Sequence, residues 1–285
     1  MRDGFFIYFH PMNSICLNGK ILPADQPALK AGNKSYRYGD GLFETMKVLD
    51  GQIILETYHF ERFLAGLGQM AFEMAAPATI ETIKQNILVL CEKNNCRDMA
   101  RVRLSAFRGN GGLYESGNGL HYLVECWPLD SSINELNPNG LDIDIYPHAR
   151  KSCDKFSNLK SASYLPYVMA ARYAMENKLD DCLVLNTYDR IADSTIANIF
   201  LIKDETLITP SLTEGCVNGV MRRWMIERFK VEETGLAIED ILSADGLFLT
   251  NAIYGLRWVK QFRKKTYSNL QAAKIHAALR NAIWA

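Results

Sequence analysis

The stretch GLFETMKVLDGQIILE, residues 41–56, decides how the first half of this chain folds. It opens with a run rich in apolar residues, turns at Asp50-Gly51, and continues as a second short run, QIILE. An Asp-Gly pair between two apolar runs is a strong hairpin signal, because these residues accept the backbone conformation of a tight turn. We therefore predict two antiparallel strands, over 41–49 and 52–56.

The segments on both sides of this hairpin extend the same pattern into an α+β unit. Apolar residues recur with a helical period in two segments after the hairpin, and further short strands with turn residues lie before and after them. The elements predicted for this half are strands at 15–18, 20–24, 99–107 and 120–129 and helices at 57–73 and 78–94.

The second half lies beyond a segment rich in polar and turn-forming residues between Pro128 and Gly140. We predict a small amino-terminal domain at 12–128, a linker at 129–140 and a larger domain at 141–285. Strands and helices do not alternate regularly in the larger domain, which argues against a doubly wound parallel sheet. Its predicted elements are strands at 141–146, 181–186, 196–202, 206–210, 246–251 and 255–262, a helix carrying Lys160, a helix at 217–229 and a helix from Ser268.

Composition indicates a globular protein that acts on a small molecule. Lys plus Arg and Asp plus Glu are 32 each, so net charge gives no reason to expect nucleic acid or a membrane surface as a partner. The seven cysteines form no C-x-x-C pair, and the chain opens without a signal-peptide pattern, which together favour a cytoplasmic protein. We predict that residues 1–11 form a flexible tail. The five histidines show no paired spacing, which argues against a protein-bound metal site.

Lys160 raises the question of function. It precedes Leu165, Val168 and Met169, together with either Ala171 or the pair Ala170 and Tyr173, at a spacing close to that of a buried helical face. Such a lysine either extends its ammonium to solvent or is partly desolvated, neutral at neutral pH and able to form an imine. Lys160 alone leaves both readings open.

A lysine that forms an imine with pyridoxal phosphate needs a carboxylate for the pyridine nitrogen and N–H donors for the phosphate. Asp193 offers the carboxylate. A turn or capping role ahead of Ser194 and Thr195 would explain an aspartate at this position as well. Gly219 precedes a helix, so the N–H groups of Val220 and Met221 face any anion at its start, although an ordinary helix start explains them equally. Three further candidates for the phosphate are Thr250, Asn251 and Arg62.

Seven motifs follow one another in nearly the whole chain, from Ile15 to Val259. They are YRYGDGLFETMKVLDGQI, HFERF, FRGNGGLY, LKSASYLPYVMA, DSTIANIF, CVNGVMRRWMI and LTNAIYG. Their order and spacing resemble those of the class IV, fold-type IV pyridoxal-phosphate enzymes. The chain looks most like the aminodeoxychorismate lyases and less like the branched-chain and D-amino-acid aminotransferases.

The resemblance implies roles for individual residues, with the cofactor in a cleft between two domains. It makes Lys160 the imine-forming residue and assigns the phosphate to Arg62, Val220, Met221 and Thr250. It places Tyr38 and Phe43 in the wall of the active site. It also implies that Arg108 binds a carboxylate of the substrate, since a guanidinium group can donate two parallel hydrogen bonds to a carboxylate. Where relatives usually carry glutamate, this chain has the shorter Asp193, and SASY follows Lys160 where lyases often show an asparagine.

The resemblance also implies a reaction and an assembly. The leading hypothesis is a lyase that converts 4-amino-4-deoxychorismate to 4-aminobenzoate and pyruvate, a step toward folate. The alternative is an aminotransferase acting on branched-chain or D-amino acids with 2-oxoglutarate, and a third hypothesis is a non-catalytic protein of the same fold. A homodimer is implied, in which loops of one subunit close the other's site.

Overall fold

The computed structural model describes residues 12–74, 78–115 and 117–284. They form two compact units. The amino-terminal unit holds the described residues up to Ser131 together with Lys160–Ser163, and the carboxy-terminal unit holds Ser132–Leu159 and the chain from Tyr164 onward. The predicted domain bounds remain a prediction, and the predicted tail at 1–11 lies outside the described residues.

The amino-terminal unit is built on a six-stranded antiparallel sheet with strand order β2-β1-β6-β5-β3-β4. The predicted hairpin at Asp50-Gly51 forms, with Val48 opposite Ile53. Its second strand is shorter than predicted, because Leu55 adopts a left-handed φ of 55° and the next helix begins one residue later. The strands are β1 Ser14–Leu17, β2 Lys20–Pro23, β3 Gly41–Leu49, β4 Gln52–Ile53, β5 Met99–Phe107 and β6 His121–Pro128.

Three helices belong to this unit: α1 Lys34–Tyr38, α2 Glu56–Gln69 and α3 Ile80–Lys93. The sequence did not predict α1, whose first N–H groups are capped by the side chain of Asn33. The helical periods of α2 and α3 are confirmed. Ile83, Ile87 and Leu90 of α3 are fully buried, as their spacing predicts.

The carboxy-terminal unit contains a nine-stranded mixed sheet with the order β12-β11-β10-β13-β14-β7-β8-β9, and β15 pairs with β14. Most neighbours are antiparallel, but β7 lies parallel to β8 and β14, and β11 lies parallel to β12. The predicted α+β class is confirmed, without a doubly wound sheet. The strands are β7 Leu141–Lys151, β8 Asp181–Asn186, β9 Ile191–Ser194, β10 Asn198–Lys203, β11 Thr206–Pro210, β12 Val231–Thr234, β13 Gly246–Asn251, β14 Gly255–Phe262 and β15 Lys265–Thr266.

The helices of this unit are α4 Leu165–Glu176, α5 Val220–Arg228, α6 Ile238–Ser243 and α7 Leu270–Ile283. Two predictions about α4 are wrong. Lys160 lies before this helix, which starts at Leu165 with a proline in its first turn, where the missing N–H costs nothing.

The second error concerns the buried face of α4. Tyr167, Ala170 and Ala174 are buried, whereas Leu165 and Val168 are 68% and 56% exposed. Small residues allow the helix to lie close to the sheet, so the alanine face packs inward and the larger apolar side chains face outward. No helix among the described residues has both the length and the apolar character required to cross a membrane.

Candidate active site

Lys160 is held by strand pairing rather than by a helix. Its carbonyl accepts the N–H of Phe43 at 2.9 Å, and the N–H of Ala162 donates to the carbonyl of Gly41 at 2.8 Å. Ser161 thus forms an antiparallel bridge with Leu42 at the start of β3. Because these bonds use only main-chain atoms, they fix the position of the lysine whatever its side chain does.

The side chain of Lys160 lies over an aromatic ring. Its Nζ is 4.5 Å from the ring centroid of Phe43, and the guanidinium carbon of Arg103 is 3.8 Å from the same centroid. Phe43 is 6% exposed, and Lys160 is half-buried. The carboxylate of Glu125 lies 3.9 Å from Nε of Arg103 and offsets part of this positive charge. With Lys160, Arg103 and Arg101 against one carboxylate, the surface still favours an anionic substrate.

Arg103 was not among the predicted site residues. It lies on β5, where Arg101, Arg103 and Ser105 alternate with buried Val102 and Leu104. Burial first, and then the charge of Arg103, lower the pKa of Arg101 to about 10, while the charge of Glu125 opposes the shift. The alternation in MARVRLSAF was the available signal, since residues two apart in a strand share one face.

Arg62, the predicted phosphate ligand, is engaged with a buried carboxylate. Its Nε donates to Oε1 of Glu44 at 2.8 Å and its Nη2 to Oε2 at 2.5 Å, a bidentate pair. His59 lies on the other side, with Nδ1 at 2.7 Å from Oε2 of Glu44. Burial alone would raise the pKa of Glu44, but the charge of Arg62 and the hydrogen bonds from His59 and Arg62 lower it to about 2.

Replacing Glu44 with glutamine should destabilise the protein and change its response to acid. Removing one partner of a buried ion pair leaves the other charge uncompensated, at a cost of about 3–5 kcal/mol at neutral pH. Because the folded pKa of Glu44 is depressed, its contribution is full above about 4.3, the unfolded value, and is lost as the pH falls toward about 2.

Urea unfolding of wild type and Glu44→Gln from pH 7 to pH 3 would measure this contribution. The two unfolding free energies should converge as the pH falls below about 4.3. A constant difference over the whole range would show that the charge of Glu44 does not stabilise the fold.

The structure gives Arg108 intramolecular partners. Its Nη1 donates to Oδ1 of Asp40, its Nη2 donates to the carbonyl of Met70, and its guanidinium carbon lies 4.2 Å from the ring centroid of Phe72. A substrate carboxylate would therefore have to displace or share the Asp40 contact. Tyr38, the other predicted wall residue, is 46% exposed at the end of α1.

Asp193 lies in a buried cluster of the carboxy-terminal unit. The hydroxyl of Tyr167 donates to its carboxylate, at 2.9 Å from Oδ2, and the N–H of Val217 donates to the same oxygen at 2.9 Å. Lys151 contributes its Nζ at 3.3 Å from Oδ2 and also donates to the hydroxyl of Tyr167. Burial first, and then the charge of Asp193, raise the pKa of Tyr167 well above its ordinary value. The phenol therefore stays protonated and donates.

Lys151 and Tyr167 were also not predicted. Lys151 ends β7, which runs beyond the predicted 141–146 through a register shift between Ile145 and Arg150. Periodicity gives no warning of such a shift. Tyr167, in contrast, shares its spacing with Ala170 and Ala174, a signal for the inward face of α4.

The loop before α5 is tied to the same cluster. Asn218 donates its N–H to the carbonyl of Asn158 at 3.1 Å, and the side chain of Asn198 donates to the carbonyl of Val217 at 2.9 Å. A Cβ at Gly219 would lie 1.9 Å from Oδ1 of Asn198, so only glycine fits there. No described side chain caps α5. The first N–H groups of this helix, at Val220 and Met221, can therefore donate to an anion at the helix start.

Thr250 lies next to this loop through strand pairing, since Asn198 on β10 is opposite Thr250 on β13. Thr250 is 1% exposed, and its hydroxyl has no hydrogen-bond partner among the described residues. Asn251, by contrast, stabilises its own turn. Its Oδ1 accepts the N–H groups of Ile253 and Tyr254 at 2.9 and 3.2 Å.

These donors fit the cofactor that the sequence implies. A buried hydroxyl without a partner and an uncapped helix start suit a phosphate, and the buried carboxylate of Asp193 suits a protonated pyridine nitrogen. The carboxy-terminal unit thus joins Asp193, Gly219 and Thr250 through contacts with Val217 and Asn198. In the amino-terminal unit Phe43 joins Lys160 to Arg103. The charge of Lys160 also helps to lower the pKa of His59, after burial as the main cause, so Lys160 lies near the Glu44 carboxylate that binds both His59 and Arg62. Arg108 pairs with Asp40, and Tyr38 is partly exposed at the end of α1.

Comparisons with known proteins show which family the chain resembles. A family model described as amino-transferase class IV matches residues 41–262. An aminodeoxychorismate lyase of Bacillus subtilis is 26% identical over 258 residues, 84% of this chain and 83% of the relative. A D-alanine aminotransferase of Staphylococcus haemolyticus is 21% identical over 261 residues, 84% of this chain and 86% of the relative.

The solved structures show the same fold. The branched-chain amino acid aminotransferase from Escherichia coli superposes with a TM-score of 0.84 at 18% identity, and the match covers 96% of this chain and 95% of the other. At this identity the likeness establishes the fold and leaves the substrate open.

Proposed function

The chain belongs to the class IV aminotransferases, a family of pyridoxal-phosphate enzymes, and from that premise we propose that it is an aminodeoxychorismate lyase. The substrate would be 4-amino-4-deoxychorismate, and the products 4-aminobenzoate and pyruvate. Family membership identifies the chain as an enzyme, so the hypothesis of a non-catalytic protein is wrong.

The observation that carries the proposal is the cationic surface beside Lys160. The substrate has a ring carboxylate and an enolpyruvyl carboxylate, and Arg103 meets the same phenyl ring as Lys160. A branched-chain amino acid requires an apolar pocket for its side chain, which Arg101 and Arg103 would not provide. Guanidinium groups recognise carboxylates through paired, charge-assisted hydrogen bonds.

Each residue would contribute a defined step. When bound, pyridoxal phosphate supplies an electron sink for the amine-bearing carbon of the substrate. Lys160 would act at Nζ, taking the proton from that carbon as a neutral amine.

The remaining residues would bind the cofactor and orient it. Asp193 would keep the pyridine nitrogen protonated through its negative charge, with Tyr167, Lys151 and the N–H of Val217 fixing its orientation. Val220, Met221 and Thr250 would bind the phosphate, and Arg62 would add charge. Loss of the enolpyruvyl group makes the ring aromatic, and the two products together contain every atom of the substrate, so no oxidant is needed.

The test is to incubate the purified, cofactor-loaded enzyme with freshly prepared aminodeoxychorismate and to measure 4-aminobenzoate and pyruvate by chromatography. Equal amounts of both products would support the lyase. Absence of both, with turnover of branched-chain or D-amino acids and 2-oxoglutarate in the same preparation, would refute it.

An aminotransferase is the second candidate, because relatives with that activity match as much of the chain as the lyases do. It would use the same proton abstraction by Lys160. The difference is that such an enzyme would convert an amino acid to its oxo acid, without loss of a leaving group from the substrate.

Replacing Arg103 with alanine should raise KM for aminodeoxychorismate. A lost hydrogen bond to a charged group costs about 1.5–3 kcal/mol, which corresponds to a roughly 10- to 150-fold lower kcat/KM. Steady-state kinetics would measure this, with Arg280→Ala as control because Arg280 is 52% exposed and pairs with Glu135. If Arg108→Ala raises KM and Arg103→Ala does not, Arg108 holds the carboxylate and this assignment is wrong.

We also propose a homodimer. Leu165, Val168 and Met169 form an apolar face on α4 that is exposed in the single chain. Burial of such a face favours association. Sedimentation equilibrium would test the assembly, and a monomeric mass across the working concentration range would exclude it.

A further inference from the structure

Three cysteines of the amino-terminal unit converge although they are far apart in sequence. Cys91 lies in the last turn of α3, Cys96 follows that helix, and Cys126 lies on β6. Their sulfur atoms all lie within 4.8 Å of one another, and Sγ of Cys96 is 3.6 Å from Sγ of Cys126. The three residues are 0%, 3% and 1% exposed, so water has little access to the sulfurs.

Local backbone structure brings the first two together. The chain turns after α3 at Asn95, whose φ is 54°, and the N–H of Cys96 then donates to the carbonyl of Cys91 at 2.9 Å. Packing of α3 against β6 adds Cys126. The cluster is therefore held by main-chain hydrogen bonds and by the core, and its three thiols are free of disulfides.

A polar donor points into this cluster. The side-chain amide of Asn94 donates from Nδ2 to Sγ of Cys126 at 3.2 Å. The same side chain is held in place by Ser14, whose N–H donates to Oδ1 at 3.0 Å and whose carbonyl accepts from Nδ2 at 2.9 Å. An N–H donor aimed at a sulfur stabilises the thiolate form, as the partners of metal-bound ligands do.

We propose that Cys91, Cys96 and Cys126 form a binding site for a soft monovalent metal ion, Cu(I). Thiolate ligands select Cu(I), Zn²⁺ or iron–sulfur clusters among biological metals. Structural zinc sites are almost always four-coordinate. Among the residues that the structure describes, no histidine or carboxylate joins the three sulfurs as a fourth ligand. Three sulfurs alone suit the trigonal coordination that Cu(I) accepts.

The dimensions agree with such a site. With metal–sulfur bonds of about 2.3 Å, the sulfurs of a trigonal site lie about 4.0 Å apart. The observed separations, 3.6 Å for one pair and at most 4.8 Å for the others, reach this value through small side-chain rotations. Each coordinating thiol loses its proton to solvent, and the copper remains Cu(I), so no redox partner is needed.

The ion would connect the end of α3 to β6. It would thereby stabilise the amino-terminal unit by mass action, because the three ligands are brought together only in the folded chain. This inference is independent of the proposed lyase activity, since none of the three cysteines belongs to the candidate active site.

The test is a titration of the purified holoenzyme with Cu(I) under anaerobic conditions against a chromogenic Cu(I) chelator. The wild type should bind one ion per chain. Cys126→Ala and Cys96→Ala should each lower the affinity by more than about 100-fold, and Asn94→Asp, which removes the donor, by about 10- to 100-fold. Cys182→Ala is the matched control, because Cys182 is a fully buried cysteine on a strand of the carboxy-terminal unit. The affinity of this variant for Cu(I) should equal that of the wild type.

Thermal unfolding with and without Cu(I) gives a second readout. Cu(I) should raise the unfolding temperature of the wild type and of Cys182→Ala but not of the cluster variants, all of which must first be shown to be folded without metal. Absence of binding by the wild type, or unchanged binding in both Cys126→Ala and Cys96→Ala, would overturn the proposal. Loss of two titratable thiols in air, without copper uptake, would instead identify a disulfide between Cys96 and Cys126.

Discussion

Replacing Lys160 with alanine should abolish the visible absorption band of the bound cofactor and lower turnover by at least about 10⁴-fold. Proton transfer by a positioned side chain contributes roughly 10²–10⁴ to a rate, and loss of the covalent link to the cofactor adds to that effect. Absorbance spectra and product formation by chromatography would measure both losses.

The fold should survive this substitution. Residue 160 is held through its carbonyl, and its neighbours are held through the N–H of Ala162 and the bridge at Ser161, none of which involves the lysine side chain. Lys274→Ala is the matched control, since Lys274 is an exposed lysine on α7 and should leave the spectrum and the rate unchanged. A small primary amine added to Lys160→Ala should restore part of the rate, because it supplies the missing base. Full activity of Lys160→Ala would refute the assignment of Lys160 and with it the proposed chemistry.

Replacing Asp193 with asparagine should lower kcat/KM by about 10²- to 10⁴-fold, comparable to the loss of one catalytic proton-transfer group. Asparagine has nearly the same shape but no charge, so it cannot hold the pyridine nitrogen in its protonated form. The protein should also lose stability, since the Nζ of Lys151 would remain 3.3 Å from a neutral side chain with only the Tyr167 hydroxyl as a partner.

Two measurements separate the catalytic effect from the structural one. The pH dependence of the cofactor's visible band reports on the protonation of its ring and should shift in Asp193→Asn, whereas a purely structural role would leave it unchanged. Asp193→Glu keeps the negative charge, so it should retain more activity than Asp193→Asn. If Asp193→Asn retains wild-type activity and an unshifted band, this carboxylate does not serve the pyridine nitrogen.

The hairpin around Asp50-Gly51 shows why much of the fold was predictable. Strand β3 has the bounds predicted from the sequence, Gly41–Leu49, because turn chemistry and apolar runs are local properties. The α+β class and the helix start at Gly219 are also readable, since glycine before a helix is a local signal.

Lys160 and α4 show the limit of this reasoning. Periodicity predicted a helix through Lys160 with Leu165, Val168 and Met169 inward, but two alanines and Tyr167 pack on the sheet instead. The choice between two apolar faces depends on the space beside β7 and β8, which no local pattern encodes.

The sequence by itself determined the family and the cofactor, because motifs in fixed order report chemistry that requires those residue types. It also predicts Lys160 as the imine-forming residue. Only the tertiary structure decided that Arg103 lies against the same ring as Lys160, that Tyr167 and Lys151 hold Asp193, and that Cys91, Cys96 and Cys126 meet in one core. The physical reason is that these contacts join residues distant in the chain, and their distances follow from strand register and helix packing rather than from local preference.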